Sequence, residues 1–468
     1  MFVISLSLTI QLLLAWNYFS MAKGIDDKNP LIIVSFDGML WKTLQQNLSH
    51  TPNFDYFAKV GVNASPMQTV TPTSTWPNHI TLLTGLYSES HGIVANSFWD
   101  PVYKERYYYD YHCTNYDPKF YNSSEPIWLT LQKRGGRSGV YFWPGYGGYE
   151  ERPTYYEKEN CSPGVNCSDP ATLVNKTRHC VVNYSEPFQS RIDKVMGWLK
   201  SDKPPQFVAL YIDEPDWKGH RYGTNSTEYL NMTSEVDRTV VGYLLEKLRE
   251  NKMLESVNII LVSDHGFVNF ADPGKRQILL NNYIDPSSYM ATQLDAQVHI
   301  WPKEGKLNEI YINLTKVKNP HFTVYKKEDI PENLHWKHNR RIPPLWVQPD
   351  LQWLVFQEFE ANYSLGDHGY PADNRDMWAI FYARGPAFRK GFVMSETMKS
   401  VDVYPLMCHL LGIEPLPNNG SFDKVKVMLT EFASDRNKGG QESLHGNFIL
   451  KVAVLMSLLL AFNFALQI

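Results

Sequence analysis

Short apolar runs alternate with amphipathic stretches through the middle of the chain. The runs Leu31–Phe36, Phe207–Ile212 and Val257–Val262 are apolar and rich in β-branched residues, which predicts strands buried on both faces of a sheet. Apolar residues recur at helical spacing before the second and third runs: Phe188, Ile192, Val195, Met196 and Leu199, then Val236, Val240, Tyr243, Leu244 and Leu248. This alternation predicts an α/β fold with a mainly parallel sheet flanked by helices. Residues 281–344 are less regular, which indicates a small cap or insert.

Three features indicate a chain that passes through the secretory pathway. Phe2–Tyr18 is apolar and leads to small residues at Ser20-Met21-Ala22, which predicts a signal peptide over residues 1–22. Asn-X-Ser/Thr sequons begin at Asn47, Asn63, Asn122, Asn166, Asn175, Asn183, Asn225, Asn231, Asn313, Asn362 and Asn419. Four cysteines can form two disulfides in three ways, and they are Cys113, Cys161, Cys167 and Cys180. We expect the fifth, Cys408, to be a small buried hydrophobe.

The far end of the chain carries an apolar segment. Phe448–Ile468 has Lys451 as its only charge, and small and polar residues precede it. This pattern favours a GPI-attachment signal behind a polar spacer at residues 431–447, with a single membrane-spanning helix as the alternative. Either reading places the folded body, residues 30–430, on the extracellular face of the plasma membrane.

Overall composition excludes one class of partner. The chain has 468 residues, 43% of them hydrophobic, so it can bury a large core. Its formal net charge of −4 gives no basic footprint for a nucleic-acid polymer. The sequence indicates no particular protein partner.

Acidic and histidine side chains follow the predicted strands. In open α/β sheets, ligands bind at the carboxyl ends of the strands, so these side chains can meet at one edge. Glycine neighbours allow the sharp turns that such positions need. The candidate ligands are Asp37, Asp216, His220, Asp264, His265 and His368. A mixed Asp/His set of this size suits two zinc ions and predicts a two-metal hydrolase site.

A threonine near a predicted helix start supplies a candidate nucleophile. In Thr75-Trp76-Pro77-Asn78-His79, Pro77 fits the first turn of a helix that runs to about Leu86. The backbone N–H groups and dipole of that helix favour negative charge near Thr75. Direct metal coordination can activate its hydroxyl, and the alternative is an ordinary helix N-cap.

Six motifs together resemble the ecto-nucleotide pyrophosphatase/phosphodiesterase family of the alkaline phosphatase superfamily. The matching stretches are Ser35-Phe36-Asp37-Gly38, Thr75-Trp76-Pro77-Asn78-His79, His91-Gly92-Ile93-Val94-Ala95-Asn96, Glu214-Pro215-Asp216-Trp217-Lys218-Gly219-His220, Ser263-Asp264-His265-Gly266 and Gly366-Asp367-His368-Gly369-Tyr370. The resemblance extends from about Pro30 to Leu429. It is to the short members, nearest the fourth and fifth, which lack somatomedin-B-like and nuclease-like domains. It implies an alkaline-phosphatase-like fold and a phosphodiesterase catalytic domain over residues 30–430.

The resemblance also implies a role for each matching residue. Asp216, His220 and His368 would hold one zinc ion. Asp37, Thr75, Asp264 and His265 would hold the other. Asn96 would donate to a phosphate oxygen, and Thr75 would attack phosphorus to form a covalent intermediate. A nucleotide substrate would then yield a nucleoside 5′-monophosphate.

Two departures from the family pattern stand out. Pro371-Ala372 follows the last metal motif at the positions where the family has Asp-Asn, and Asp373-Asn374 comes two residues later. The hydrogen bonds that orient His368 in the family are therefore in doubt here. Val427 stands where relatives often carry a cysteine partner for Cys408.

Substrate choice rests on aromatic residues. Trp76 and Tyr184 resemble two walls that sandwich a nucleobase, although either residue could serve packing alone. Arg152-Pro153-Thr154-Tyr155 instead resembles the sixth member of the family, which cleaves choline phosphodiesters. In this chain, aromatic residues and Glu157 could form a cage for choline. That member uses serine as its nucleophile. A phosphomonoesterase and an inactive surface adhesion protein are further alternatives, and the complete ligand set disfavours the second.

Overall fold

A computed structural model of the chain describes residues 28–109, 113–157, 160–161, 180–181, 185–270, 272, 274–294, 296–318 and 320–433. The chain divides into two units at Thr430/Glu431, and of the second the structure describes only residues 431–433. The expected signal peptide, most of the spacer and the C-terminal apolar segment therefore lie outside the described residues. Within the described ranges, no helix combines the length and apolar character needed to cross a lipid bilayer.

Twenty strands are described, many of them short. In chain order they are β1 Leu31–Phe36, β2 Val62–Asn63, β3 Ser97–Asp100, β4 Glu105–Tyr108, β5 Ser138–Tyr141, β6 Tyr155–Tyr156, β7 Asn160–Cys161, β8 Cys180–Val181, β9 Phe207–Ile212, β10 Asn258–Val262, β11 Val268–Asn269, β12 Gln277–Leu279, β13 Tyr289–Ala291, β14 Val298–Pro302, β15 Phe322–Lys326, β16 Leu345–Pro349, β17 Leu354–Phe356, β18 Gly366–Asp367, β19 Phe381–Arg384 and β20 Phe392–Val393.

The α-helices lie between these strands. In chain order they are α1 Trp41–Gln45, α2 Pro52–Val60, α3 Thr75–Thr84, α4 Ser88–His91, α5 Ile127–Lys133, α6 Phe188–Leu199, α7 Asp216–Tyr222, α8 Thr227–Val236, α9 Tyr243–Glu250, α10 Leu307–Thr315, α11 Val403–Leu411 and α12 Phe422–Val425. A π-helical turn, Asp237–Gly242, joins α8 to α9. The helical spacing read from Val236 to Leu248 therefore corresponds to one continuous helical segment.

The main sheet has eight strands in the order β20-β2-β19-β10-β1-β9-β5-β6. Strand β1 lies at its centre and pairs in parallel with β10 and β9, while β19 pairs antiparallel with β10. All residues of β1, β9 and β10 are buried, because helices such as α6 and α9 cover the sheet with their apolar faces. The predicted mainly parallel sheet flanked by helices is confirmed, and the third strand begins one residue later than expected.

The stretch expected to be a cap or insert contains most of a separate sheet, and the insert as observed extends through β16 to Pro349. Strands β13, β14, β16 and β15 pair antiparallel in that order. Helix α10 packs against this sheet through Ile310 and Leu314, which gives the insert a separate apolar core. The expectation of low regularity was wrong, because these strands have only three to five residues and their burial does not alternate, so no strand pattern stood out in the sequence.

Helix α3 carries the candidate nucleophile and is buried along its whole length. It begins at Thr75 with Ser74 as the N-cap, so Thr75 is not the cap residue itself. It ends at Thr84, two residues before the predicted Leu86. Gly85 terminates it in the left-handed region at φ +67°, a conformation that favours glycine.

The cysteines are only partly described. Cys408 is buried in α11 and forms no disulfide, as expected. Burial raises the pKa of its thiol to about 12, which keeps it unreactive. Cys161 stands opposite Cys180 in the β7–β8 ladder. Cys167 lies outside the described residues.

Candidate active site

The carboxyl ends of the central strands deliver the candidate ligands to one edge of the main sheet. Asp37 follows β1 directly, and Asp264 and His265 follow β10. Asp216 opens α7 shortly after β9, and His220 lies one turn later on the same helix. His368 follows β18, which pairs with β11 just beyond His265. The structure thus brings together all six ligands that the sequence indicated.

One half of the cluster is fully enclosed, and we call Asp37, Asp264 and His265 the buried half. The Nε2 atom of His265 lies 3.2 Å from Asp37 Oδ1 and 3.2 Å from Asp264 Oδ2. The exposed fractions of these side chains are 4% for Asp37 and 0% for the other two. The hydroxyl of Thr75 lies 3.4 Å from the same His265 nitrogen, so the candidate nucleophile contacts this half.

The other half reaches solvent, and we call Asp216, His220 and His368 the open half. The Nε2 atoms of His220 and His368 are 3.2 Å apart. Asp216 Oδ2 lies 3.4 Å from His220 Nε2, and its Oδ1 lies 3.7 Å from His368 Nε2. The His220 side chain is 28% exposed, the largest fraction among the six ligands. This half therefore forms the mouth of the site.

Asp216 also links the two halves. Its ligand atoms lie within 4.8 Å of those of His220 and His368, and equally within 4.8 Å of those of Asp37 and His265. The rings of His265 and His368 stack with centroids 3.5 Å apart. The division of ligands implied by the family pattern assigned Asp216 to one ion alone, whereas the structure places it between both groups.

Orphaned carboxylate oxygens test whether these residues fit a metal. Asp37 Oδ1, Asp216 Oδ1 and Asp264 Oδ2 are buried, and none of these atoms has a hydrogen-bond partner among the described residues. A buried carboxylate without a hydrogen-bond partner is costly to ionise, and a cation bound beside these oxygens would remove that cost. With the imidazole nitrogens beside them, they form the N/O donor set that zinc takes. The residues present fit a two-metal centre.

Electrostatics within the cluster support the same reading. Burial raises the pKa of Asp216 well above its usual range, and the charge of Asp37 raises it further. Burial and the same Asp37 charge raise the pKa of Asp264 well above its usual value. Burial opposes ionisation of Asp37 as well, but the adjacent His265 imidazole brings its pKa below the ordinary value. Three carboxylates at this edge stay ionised together only beside added positive charge.

Residues behind the ligands hold them in place, and sequence analysis assigned none of these roles. The Tyr211 hydroxyl donates to Asp37 Oδ2, and the Gly38 N–H donates to Asp264 Oδ1 at 3.2 Å. His79 lies below the centre, with Nδ1 2.8 Å from the Thr75 carbonyl oxygen and Nε2 2.9 Å from the Ser35 hydroxyl. The sequence could have indicated this role, because His79 lies four residues after Thr75 and therefore on the same face of the helix.

The departure from the family pattern after His368 does not leave that residue unsupported. His368 Nδ1 lies 2.8 Å from the Thr73 carbonyl oxygen, and the Thr73 hydroxyl accepts the Gly369 N–H at 3.0 Å. Asn374 instead caps a short 3₁₀ turn by accepting the Asp376 N–H. The loop before α3 therefore provides the orientation that the family motif would have provided.

Asn96 lies beside the nucleophile. Its Oδ1 accepts the backbone N–H of Trp76 at 3.0 Å, which leaves the amide nitrogen of Asn96 as a donor. Trp76 follows Thr75 in the first turn of α3, where backbone N–H groups have no intrahelical partner. Asn96 is thereby fixed to the helix turn that carries Thr75.

Of the two aromatic residues expected to bind a base, the structure describes Trp76. Trp76 is largely buried at 6% exposure, and its indole N–H donates to Asn115 at 2.8 Å. Tyr109, which is 45% exposed, packs edge-on against Trp76 with ring centroids 5.1 Å apart. Tyr184, the expected second wall, lies outside the described residues.

The residues of the choline alternative have other partners. Tyr155 stacks on Trp198, and its hydroxyl donates to the Lys203 carbonyl oxygen at 2.8 Å. Glu157 pairs with Lys194 at 3.0 Å. Arg152 donates to the Tyr149 carbonyl oxygen at 2.8 Å. These contacts tie the described side chains of this stretch to neighbouring groups of the fold.

Known proteins resemble the chain over most of its length. The model of the type I phosphodiesterase/nucleotide pyrophosphatase family matches residues 31–371. Human ectonucleotide pyrophosphatase/phosphodiesterase family member 5 is 38% identical, over 86% of this chain and 78% of that protein. Bis(5′-adenosyl)-triphosphatase of Xenopus laevis is 37% identical, over 88% of this chain and 84% of that protein.

Solved structures agree with these sequence matches. The structure of human ectonucleotide pyrophosphatase/phosphodiesterase 5 matches with a TM-score of 0.77, covering 86% of this chain and all of that one. A structure of the murine protein, described as an inactive threonine-to-alanine variant in complex with AMP, matches with the same score at 37% identity, covering 86% of this chain and 100% of that one. The resemblance read from the motifs and the alkaline-phosphatase-like fold expected from it are confirmed.

Proposed function

Because the chain belongs to the type I phosphodiesterase/nucleotide pyrophosphatase family of phosphodiester hydrolases, we propose that it is an extracellular, zinc-dependent nucleotide phosphodiesterase. It cleaves phosphodiester or pyrophosphate bonds of nucleotides and releases nucleoside 5′-monophosphates. The observation that carries this proposal is the His265 Nε2 atom, which lies within 3.4 Å of the Thr75 hydroxyl and within 3.2 Å of two carboxylate oxygens that have no hydrogen-bond partner among the described residues. An adhesion protein would have no use for such a cluster, because its buried charges only destabilise the fold.

The proposed ligand assignment follows the two halves. The open half would hold one zinc ion, and the buried half with Thr75 would hold the other. When bound, the two ions would place positive charge on the phosphoryl oxygens and lower the pKa of the Thr75 hydroxyl and of water.

Thr75 performs the covalent step. Its Oγ1 loses its proton and forms a bond to phosphorus, while the bond between phosphorus and the leaving oxygen breaks. The leaving group carries away that electron pair and takes up a proton. A water molecule then attacks the same phosphorus, and the Thr75 oxygen departs as the hydroxyl is restored. Asn96 donates from its amide to the phosphoryl oxygen on which charge develops.

The relatives support a nucleotide substrate. Their names refer to nucleotide pyrophosphatase and bis(5′-adenosyl)-triphosphatase activities, and the murine complex contains AMP. Trp76 and Tyr109 place two aromatic rings next to Asn96, where a base attached to the bound phosphate can stack. Of the two, only Tyr109 presents a large exposed surface, so we assign it the stacking role that the sequence suggested for Tyr184.

A substrate panel on the secreted ectodomain tests this function. The panel contains ATP, ADP, NAD, dinucleotides, glycerophosphocholine and sphingomyelin, with Thr75→Ala as the matched inactive control. We expect zinc-dependent release of nucleoside 5′-monophosphate from one or more of the nucleotides. Hydrolysis confined to the choline substrates would contradict the nucleotide assignment. Faster cleavage of para-nitrophenyl phosphate than of its bis-ester would contradict phosphodiester chemistry altogether.

The surroundings of the enzyme form a second part of the proposal. We infer that residues 1–22 direct export and that Phe448–Ile468 anchors residues 30–430 to the outer face of the plasma membrane, through GPI or as a spanning helix. Among the described sequons, seven asparagines are exposed, which suits glycosylation: Asn47, Asn122, Asn225, Asn231, Asn313, Asn362 and Asn419. The opposition of Cys161 and Cys180 in β7–β8 favours that disulfide among the three pairings.

The anchor is tested on intact cells. Phosphatidylinositol-specific phospholipase C should release active enzyme if the anchor is GPI. Mass spectrometry of the mature C-terminus decides the case, because peptides that extend through Leu455 would rule out GPI processing. Activity found only on the cytosolic side of sealed membranes would contradict the location itself.

A further inference from the structure

We propose that Trp336 and Arg341 of the insert are positioning residues that fix Asn96 against Thr75. The inference rests on the proposed function for the role of Asn96. The segment concerned is the Asn96 arm, residues 92–100, which runs from the end of α4 through β3. Side chains of the insert, more than 190 positions away in sequence, hold this arm on both sides of Asn96.

Three hydrogen bonds cross from the insert to the backbone of the arm. Arg341 Nη1 donates to the Gly92 carbonyl oxygen at 2.8 Å. Trp336 Nε1 donates to the Val94 carbonyl oxygen at 2.9 Å. The Ser97 N–H donates to Gln293 Oε1 at 3.2 Å. Because these contacts flank Asn96 in sequence, they fix the position of the Asn96 backbone and hence of its side chain.

Arg341 is itself rigidly held. Its side chain is 2% exposed, and its Nε donates to Asp100 Oδ2 at 2.7 Å. The same guanidinium donates to the Phe120 carbonyl oxygen at 2.8 Å. Gly92 permits the approach, because it adopts φ +85° and a Cβ there would lie 3.0 Å from Arg341 Nη1. The insert thus clamps both ends of the Asn96 arm, Gly92 and Asp100.

The Asn96 side chain connects the arm to the helical turn that carries Thr75. Asn96 Oδ1 accepts the Trp76 N–H, and Trp76 adjoins Thr75 in α3. A shift of the arm therefore changes the distance between the Asn96 amide and the phosphoryl oxygen bound at Thr75. Displacements of about 1 Å at a reacting centre cost up to about 10²-fold in rate, so the clamp has catalytic consequences.

The test compares two tryptophans of the insert. Trp336→Phe removes the N–H that donates to Val94 and keeps an aromatic ring. Trp346→Phe is the matched control, because Trp346 is equally buried, packs on Trp336 with ring centroids 4.8 Å apart, and its Nε1 has no hydrogen-bond partner among the described residues. We expect kcat to fall roughly tenfold for Trp336→Phe, with little change in KM or zinc content, and to stay within about twofold for the control.

A double variant separates positioning from general loosening of the fold. Asn96→Ala should lower kcat about 10²-fold, the usual cost of losing one such donor. If Trp336 acts through Asn96, adding Trp336→Phe to Asn96→Ala should cost less than about twofold more. An equal loss in both backgrounds would overturn the inference.

A third readout does not depend on activity. The Trp76 amide lies in the first helical turn, and its protection from hydrogen exchange reports on the Asn96 bond. Trp336→Phe should speed exchange at that amide severalfold, and Trp346→Phe should not. Unchanged exchange in the folded Trp336→Phe protein would overturn the clamp, whereas a wild-type protein without phosphodiesterase activity would sink only the proposed function. If Trp336→Phe does not fold, Arg341→Lys decides by the same exchange measurement. Arg384→Lys is then the control, because Arg384 is also a buried arginine but donates to the Leu254 carbonyl oxygen and to Glu255.

Discussion

The two halves of the candidate metal centre place similar side chains in different surroundings. Asp37, Asp264 and His265 are sealed against the sheet, with exposed side-chain fractions of 4%, 0% and 0%. The open half exposes 15% of Asp216, 28% of His220 and 8% of His368. Burial fixes ligand geometry and strengthens electrostatics, while exposure gives water and leaving group a path. The difference supports the proposed division, in which the buried half would activate Thr75 and the open half would exchange water and products with solvent.

The hydrogen bonds that hold these side chains in place also differ between the two halves. In the buried half, a tyrosine hydroxyl and a backbone N–H donate to the aspartates. In the open half, His220 Nδ1 lies 3.1 Å from the Gly366 carbonyl oxygen and 3.6 Å from Asp367 Oδ1. These partners fix the orientation of the imidazole but leave one side of its ring in solvent. The open half is therefore oriented without being enclosed.

The largest expected effect concerns the residue that faces the buried half. Thr75→Ala removes the oxygen that forms the covalent intermediate, so turnover should fall roughly 10³-fold or more. The thermal unfolding midpoint and zinc content should change little, since the three carboxylates remain. Activity is measured with the best nucleotide of the substrate panel. Retention of more than about a tenth of wild-type activity would disprove the covalent role of Thr75.

A pair of histidine variants compares the halves directly. His265→Ala leaves Asp37 and Asp264 buried without their shared neighbour, and breaking such contacts costs about 3–5 kcal/mol. His220→Ala opens a ligand position that water can reach, so its effect on unfolding should be smaller. Each variant should lose about one zinc equivalent by elemental analysis, with the larger fall in unfolding midpoint for His265→Ala. Full zinc occupancy in both variants would refute the ligand assignment, and equal destabilisation would refute the contrast between halves.

A smaller effect concerns the stability of the folded protein in acid, which depends on His79 next to Asp264 of the buried half. Burial lowers the pKa of His79 to about 4 from its usual 6.5, so the folded protein holds it neutral. The unfolded chain binds this proton first, so the stability that neutral His79 contributes is present above about pH 6.5 and is lost as pH falls through about 4. His79→Gln should therefore lose less stability than wild type over that window, by a few degrees in unfolding midpoint.

The matched control for this measurement is His338→Gln. His338 is 64% exposed and pairs with Glu332 at the surface, so it should leave the acid dependence as in wild type. Thermal unfolding followed across the same pH window would contradict the prediction if His79→Gln and wild type lost stability in parallel.

The sequence alone identified the candidate metal ligands better than the residues that hydrogen-bond to them and hold them in place. Asp37 and Asp264 follow apolar runs that could only be buried strands, and strand ends meet at one edge. His368 needed the family motif, because no strand rule places a loop histidine after a long insert. Tyr211 was missed because strand alternation indicates a side chain's face but not its partner on the neighbouring strand. Trp336 was missed because its partner Val94 is 242 residues away, and no local pattern encodes such a contact.

The insert shows why boundaries and regularity are harder to infer than ligands. Its strands are three to five residues long, too short for an alternating pattern to stand out from a loop. Tyr109 presents a related difficulty, since aromatic residues make up 14% of the chain and their exposure depends on tertiary packing. Tyr109 differs from the other aromatic residues in that it packs against Trp76, and only the three-dimensional structure shows that contact.

Metal release from the purified ectodomain tests the contrast between the halves most directly. The protein is loaded with zinc, diluted into a coloured chelator, and followed for both released metal and remaining activity. The account predicts two equivalents per chain, one leaving quickly from the open half and the other slowly from the buried half. His220→Ala should abolish the fast phase and leave the slow one. Release of both equivalents in a single phase, or binding of fewer than two, would contradict it.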